Sequence, residues 1–422
     1  MNPMTITLIV LVLAIVLYAS EKIPLALTSI LIVVSLSLTK VLSASDALGG
    51  FSNTTVVLFA AIFVLGGALE KTSISNKIGD ILYKYSNNER LLITATIAVT
   101  AVFSAFLSNT AVAAILLPII LSICSSVNIS RSKLLLPMAT GAVIGGGITL
   151  IGGPGNAFVV TSLEDLGTGQ TYSFFDFTVV GLPIAILAVL YVFFIGWKLL
   201  PDYKLEEMEI KSDKNKKGHL SAGKEKLAYL IIVLTILGLI FSAQIGYATW
   251  LIAMVGAVLL VLTGVMSEKE ALDSISWKTL IMFAGVLPLT TALKNTGGAD
   301  LIASGITAVL GDSTNVFLIT AVMFGLSAVV TQFMSNTATL ALLCPLAGII
   351  AQSIGADPRS LIMAAASGAA LSICTPIGAP PQALIYGPGG YKFMDYIKFA
   401  APIVVICFLF ATFYLPIVWP YY

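Results

Sequence analysis

Charge is what this sequence has least of. Lys and Arg number 22 and Asp and Glu 21 among 422 residues, so 10% of the chain is charged, against about 25% in soluble domains. With 58% hydrophobic residues, that scarcity excludes a soluble globular domain and implies a polytopic membrane protein in a lipid bilayer. No basic patch accompanies the net charge of +1, so nucleic acid is not an expected partner. The one histidine, His219, lies in a charged stretch and reads as inert. Four cysteines (Cys124, Cys344, Cys374, Cys407) are scattered through apolar segments without a disulfide or metal spacing, and read as small core hydrophobes. No ionisable residue sits clearly in mid-span, which makes a carboxylate proton relay hard to build. No zinc spacing, serine-protease pattern or phosphate loop appears, so an enzyme and an organic cofactor are not expected. The first apolar stretch has no basic segment before it and reads as a retained span.

What the chain does have is a duplicated polar interruption. Ser108-Asn109-Thr110 and Ser335-Asn336-Thr337 each break a long apolar run, and SNTAVAAILLPI matches SNTATLALLCPL at seven of twelve positions. A hydroxyl precedes each serine by four residues, Ser104 in one copy and Thr331 in the other. On one continuous helix that spacing puts each hydroxyl beneath its serine on the same face. Unpaired polar groups in such surroundings are costly unless they bind something. Two copies read as one binding site built from two halves.

The repeat extends further. Residues 38–48 (LTKVLSASDAL) parallel 262–272 (LTGVMSEKEAL), and 149–157 (TLIGGPGNA) parallel 375–383 (TPIGAPPQA). The near-constant offset predicts two homologous halves, 1–200 and 224–422, joined by a charged linker at 201–223. Each half contains a pair of shorter apolar segments joined through its triplet, at 91–126 and 315–353; both read as re-entrant hairpins. Each also contains a span broken by Gly and Pro, at 133–163 and 360–386. The expected fold is therefore all-α: two inverted repeats, each of five transmembrane helices plus one hairpin, ten full spans in all. With the linker in the cytoplasm, all but three of the 22 Lys and Arg (Lys40, Lys294 and Arg359) fall on the cytoplasmic side. The positive-inside rule then puts both termini outside. Residues 72–90 and 297–312 look amphipathic and read as short helices lying in the membrane interface.

Broken helices expose backbone carbonyls at one end and a positive N-terminus at the other. Carbonyl, Ser, Thr and Asn oxygens suit a hard cation such as sodium, whereas helix N-termini with amide and hydroxyl donors suit an anion. One triplet and one break per half thus predict two cation sites flanking one anion site. A single Gly or Pro reads as a packing kink; two motifs, each duplicated at nearly one offset, read as a site.

At these residues the sequence resembles the divalent anion:sodium symporters, carriers of dicarboxylates, citrate or sulfate. The resemblance covers the triplets, the two breaks, Gly50-Phe51-Ser52-Asn53 and residues 386–391. It implies one sodium site from Ser104, Ser108, Asn109 and Gly152, and another from Thr331, Ser335, Asn336 and Gly378. It implies anion contacts from Asn109, Thr110, Asn336 and Thr337 and from the turn residues Gly153, Pro154, Ala379 and Pro380. It also implies a homodimer in the plasma membrane that works by an elevator movement. Two features depart from the family pattern: Gly153 and Ala379 stand where a hydroxyl is common, and Gln382 stands where Asn is usual. Sodium-independent anion exchange on the same scaffold stays open. An oxyanion efflux pump or cation/proton antiporter of the same superfamily is disfavoured by the missing intramembrane acid.

Overall fold

Polar side chains at the mouths of apolar runs set where the helices begin. The computed structural model describes residues 2–20, 22–153, 155–203, 220–298, 301 and 315–422, and every regular element among them is helical. Asn53 accepts from the backbone N–H of Thr55 at 2.8 Å and opens Thr54–Glu70. Asn88 accepts from Leu91 at 3.1 Å and opens Glu89–Ser104. Asp357 accepts from Arg359 at 2.9 Å and opens Pro358–Ala369. Each cap contributes about 1 kcal/mol. Left-handed residues stop helices at the other end: Asn128 (φ 53°) after Asn109–Val127, and Gly390 (φ 64°) after Pro380–Gly389.

Each triplet lies between two helices. Glu89–Ser104 is followed by the first triplet helix, Asn109–Val127, and Val316–Val330 by the second, Asn336–Ser353. Pro118 and Pro345 occupy equivalent positions inside the two triplet helices. Two approach helices, Arg131–Gly145 and Pro358–Ala369, are followed by breaks, after which the chain resumes as the post-break helices Asn156–Glu164 and Pro380–Gly389. The expectation that Ser104 and Ser108, or Thr331 and Ser335, share one helical face is overturned. Ser104 ends one helix and Thr331 is the C-cap of another, while Ser108 and Ser335 are the N-caps of the helices that follow. The chain turns between them, because each serine side chain takes the next helix's N–H rather than continuing the previous one.

Packing sorts the helices into two groups. Leu25–Leu38 packs on Trp277–Thr296, and Thr249–Leu262 reciprocally on Thr54–Glu70; with Pro3–Ser20 and Ala222–Ile240 they form the first group. In the second group, the post-break helix of one half packs on helices of the other: Asn156–Glu164 on Asn336–Ser353, and Pro380–Gly389 on Arg131–Gly145 and Asn109–Val127. Tyr391, fully buried, fastens that second crossing, accepting from Leu136 N at 2.8 Å and donating to Ser132 O at 2.6 Å. The groups meet chiefly where Thr54–Glu70 lies against Asn156–Glu164 and where Pro3–Ser20 and Trp277–Thr296 reach Asn336–Ser353.

Outward-facing apolar stripes recur at helical spacing, as at Leu182, Ile186 and Leu190 and at Val405, Leu409 and Phe413. Together with the apolar helices they mark a multi-pass membrane protein. Among the described residues, five helices are long and apolar enough to cross a membrane, or six if Glu268–Ser274 and Trp277–Thr296, bent by 55°, count as one. That is fewer than the ten spans expected. Leu25–Leu38 and Thr249–Leu262 have 14 residues each, about 21 Å of helix against a core of about 30 Å. Of the two expected interfacial helices, Ile74–Tyr83 forms, but it packs on Glu89–Ser104 and Asn109–Val127 and its Ile78 and Leu82 are buried. Burying such side chains contributes about 1.5–3 kcal/mol each, which holds this helix to the protein. The expected helix at 297–312 lies for the most part outside the described residues, as does the central part of the linker.

One polar bridge joins the two groups. Thr55 donates to Glu164 Oε2 at 3.3 Å, and the Lys294 ammonium donates to the Asp165 carbonyl. Burial pushes the Asp165 carboxyl up to about 6, with Lys294 opposing and Glu164 adding to the rise. The native carboxyl therefore holds its proton more tightly than the unfolded one, whose ordinary value is about 3.9. Its contribution to stability is highest below that value and falls as pH rises through about 6. Asp165→Asn is expected to flatten the pH dependence of thermal unfolding between about pH 4 and 7; an unchanged profile in detergent would show that the carboxyl does not titrate there.

Candidate functional site

The first half of the site is a ring of backbone carbonyls. Ser104 Oγ, fully buried, donates to Ala142 O at 2.6 Å and lies 3.2 Å from Asn109 Oδ1. The carbonyls of Gly146, Ser104 and Ala105 converge on Gly152, where a Cβ would meet them at 2.9, 2.9 and 3.1 Å. Thr149 donates to Ala105 O, and Asn156 Nδ2 donates to Gly146 O at 3.0 Å and Thr149 O at 2.9 Å. The amide thus substitutes for the helical N–H groups that the break removes.

The second half repeats this with changes. Thr331 Oγ1 donates to Ala369 O at 3.1 Å, and both residues stand at the offset of the triplets from their first-half counterparts, Ser104 and Ala142. Thr375 donates to Gln332 O at 2.6 Å, as Thr149 does to Ala105 O. Thr331 O lies 3.0 Å from where a Cβ on Gly378 would sit, with Thr375 Oγ1 at 3.3 Å. Here Gln332 does what Asn156 does in the first half: its Nε2 donates to Ala328 O at 2.8 Å and Leu371 O at 2.7 Å, and its Oε1 accepts from Cys374 N. Gln382 instead turns away, 3.4 Å from Thr140 Oγ1. Ser372 is fully buried beside Gly378, and its hydroxyl has no partner among the described residues.

Between the halves lies a cavity of about 140 Å³. Ser108, Asn109 and Thr110 line it with Ser335, Asn336 and Thr337, together with Gly153, Ala379 and Pro380. Of the sequence-predicted residues, Ser104, Gly152, Thr331 and Gly378 sit behind its walls, and Pro154 lies outside the described residues. The first residue of both triplet helices and of both post-break helices lines the cavity: Asn109, Asn336, Asn156 and Pro380. Four positive helix ends thus meet at one place, and among the described residues no ionisable side chain lines it. The fourth end is weaker in donors, because Pro380 and Pro381 carry no N–H. Ser108 and Ser335 cap their helices, accepting from Ala111 N and Ala338 N at 3.3 Å each. A larger cavity of about 450 Å³ adjoins the first triplet, sharing Ser108 and lined also by Phe106, Ile151, Glu70, Lys71, Glu270 and Asp273.

Sequence reasoning missed Gln332, Asn156, Ser367 and Ser372. Gln332 carried a signal, being an amide next to Thr331 in an apolar run. Ser367 and Ser372 carried none, since isolated serines are common in membrane helices.

Geometry of this kind belongs to transporters, and comparison with known proteins agrees. The citrate transporter family model matches residues 15–368. The chain belongs to the citrate transporter family. This member is 28% identical to a transporter from Haemophilus influenzae, covering 93% of this chain and 87% of the relative. It is 26% identical to a sodium-dependent dicarboxylate transporter, SdcS, from Staphylococcus saprophyticus, over 88% of this chain and 78% of that protein. Among solved structures it resembles the YdaH transporter of Alcanivorax borkumensis and MtrF of Neisseria gonorrhoeae. Each has a TM-score of 0.60 at 13% identity, the first covering 87% of this chain and 86% of its own, the second 99% and 95%. Those structures support the fold alone. These relatives accord with the divalent anion:sodium symporters that the triplets resemble, and they are transporters, not enzymes.

In this citrate transporter family member the carbonyl ring around Gly152 leaves no room for a side chain. Gly152→Ala must displace three carbonyl oxygens, and is expected to cost about 1–3 kcal/mol. Gly66→Ala, inside Thr54–Glu70 with nothing within 4 Å of its new Cβ, is expected to be neutral or stabilising by up to about 1 kcal/mol. Thermal unfolding of the two purified variants checks this; equal unfolding temperatures would refute the tight ring.

Proposed function

We propose that this chain carries a small divalent anion, a dicarboxylate, citrate or sulfate, across the plasma membrane together with sodium ions. The observation that carries this reading is the cavity where both triplets, both breaks and four helix N-termini meet. The anion is held there by Asn109, Thr110, Asn336 and Thr337, with the turn residues Gly153, Ala379 and Pro380. Sodium, as co-transported cargo, takes the oxygen sets behind the cavity. One site is Ser104, Ser108, Asn109 and Gly152; the other is Thr331, Ser335, Asn336 and Gly378. All donors are oxygens, as a hard cation requires. A hydroxyl that donates its proton to a carbonyl keeps lone pairs for an ion, so the bonds of Ser104 and Thr331 to Ala142 and Ala369 are compatible with ligation. The unpartnered Ser372 hydroxyl beside Gly378 supports an ion there.

In this reading the halves 1–200 and 224–422 are inverted repeats with re-entrant hairpins, and the linker at 201–223 is cytoplasmic. The first helix group serves as the scaffold of a homodimer, and the second moves past it as an elevator. The 450 Å³ cavity, which Lys71, Glu270 and Ser108 line, then serves in this reading as the cytoplasmic approach to the site.

Uptake of labelled dianions into proteoliposomes is expected to require an inward sodium gradient. Ser104→Ala and Thr331→Ala should each raise the half-maximal sodium concentration roughly ten- to hundredfold, the scale of a lost polar partner at about 1–3 kcal/mol. Ser104→Thr and Thr331→Ser, which keep the hydroxyl, should not. Uptake indifferent to sodium would assign the protein to anion exchange. For topology, single cysteines at Ser221 and Tyr422 are expected to label from opposite sides of the membrane. Labelling from one side would remove the inverted repeat.

A further inference from the structure

The two halves close the flanks of the small cavity differently. Gln382 of the second half and Thr140 of the first are both fully buried, lie 3.4 Å apart and do not line the cavity. Across the repeat, Asn156 is the counterpart of Gln382 at the offset of the two breaks, and Ser367 that of Thr140 at the offset of the triplets. Both of these line the cavity, at 7% and 6% exposure, on helices that pack together. One flank is therefore closed over an amide–hydroxyl contact away from the cavity, with Gln382 Oε1 left without a partner among the described residues, and the other presents the equivalent pair to the ligand space.

Both exposed partners have unused capacity. Ser367 makes no hydrogen bond with any described residue, although other buried hydroxyls on neighbouring helices do: Ser327 donates to Ala365 O at 2.6 Å and Thr161 to Ala157 O at 2.9 Å. The Ser367 hydroxyl opens instead into the cavity, where it can both donate to and accept from whatever occupies it. Asn156 uses its Nδ2 on the break carbonyls, which leaves its Oδ1 as an acceptor without a partner among the described residues. Apolar Met363 and Ala366 line the cavity from the same helix as Ser367.

Resting on the anion-site reading above, we propose that Ser367 and Asn156 form a lateral subsite for a hydroxyl group carried by the transported dicarboxylate. A hydroxyl both donates and accepts, and so matches the Ser367 hydroxyl together with the Asn156 carbonyl oxygen. A third carboxylate only accepts, and would oppose Asn156 Oδ1. The subsite therefore selects 2-hydroxy dicarboxylates over plain ones of the same length, and it works on one flank only.

Isothermal titration of the purified full-length protein in saturating sodium, with succinate and with its 2-hydroxy derivative malate, tests this. Wild-type protein should bind malate about three- to tenfold more tightly, the scale of one buried hydrogen bond. Ser367→Ala should abolish that preference while leaving succinate affinity within about twofold, and Ser367→Thr, which keeps the hydroxyl, should retain it. Equal wild-type affinities, or a Ser367→Ala effect that falls on both ligands or on neither, would overturn the subsite. If neither dicarboxylate binds wild-type protein, the dicarboxylate reading falls and the subsite with it. Should Ser367→Ala not fold, loss of the malate preference in Ser367→Thr would overturn the subsite and its retention would support it.

Discussion

Everything at the centre of this protein follows from one constraint: a helix that stops inside an apolar surround leaves N–H and C=O groups that no water reaches. Four helix–break–helix transitions meet there, and each break frees donors on one side and acceptors on the other. The chain satisfies part of this demand locally. Ser108 and Ser335 take N–H groups, while Thr149, Thr375, Asn156 and Gln332 donate to carbonyls. Beyond these bonds, four helix N-terminal residues face the cavity and three carbonyls converge on Gly152.

The two halves solve the same problem with different side chains, and that divergence is what makes the cavity asymmetric. The first half stiffens its break with an amide from beyond it, Asn156, and the second with one from before it, Gln332. Once Gln332 holds the Leu371 carbonyl, the residue at the Asn156 position is free to serve elsewhere. The extra methylene of Gln382 reaches toward Thr140 instead of the break. Glycine is replaced by a larger residue in the same spirit. Gly146 has Asn109 against it so closely that a Cβ would lie 2.2 Å from Oδ1, whereas the corresponding stretch of the second half carries the buried hydroxyl of Ser372.

Much of this was legible in the sequence, and the parts that were not share a reason. Duplicated triplets and Gly/Pro breaks announce where helices must stop, because capping and proline sterics act over two or three residues. The cavity does bring the residues of both triplets together. Reasoning from helical period then failed at Ser104 and Ser108, since period applies only within one helix and the chain turns between them. The number of long apolar helices is a different quantity from the number of apolar runs: a run marks hydrophobicity, while Leu25–Leu38 ends as a helix after 14 residues. Ser367 and Ser372 were invisible because their significance lies in what surrounds them, and neighbours across a helix interface leave no local pattern. At Ile74–Tyr83 amphipathicity likewise shows that one face is covered but not by what; the covering is Glu89–Ser104 and Asn109–Val127.

A cavity built from neutral groups also constrains how binding and coupling can work in the proposed transport cycle. Among the described residues no Lys or Arg lines it, so a dianion there is offset by helix ends, each equivalent to about half a charge, and by any cation held behind the wall. At an effective dielectric of about 20, a unit charge pair about 5 Å apart is worth roughly 3 kcal/mol. Two sodium ions flanking a dianion would therefore exceed what the few hydroxyl and amide contacts provide, at about 0.5–1.5 kcal/mol net each. Had the chain placed an arginine in the cavity, the anion would bind without sodium and the coupling would loosen. The larger neighbouring cavity does carry ionisable residues, and there Lys71 is already paired with Glu270 at 2.6 Å. The scarcity of charge at the site is thus the physical condition under which one ion's binding can depend on the other's.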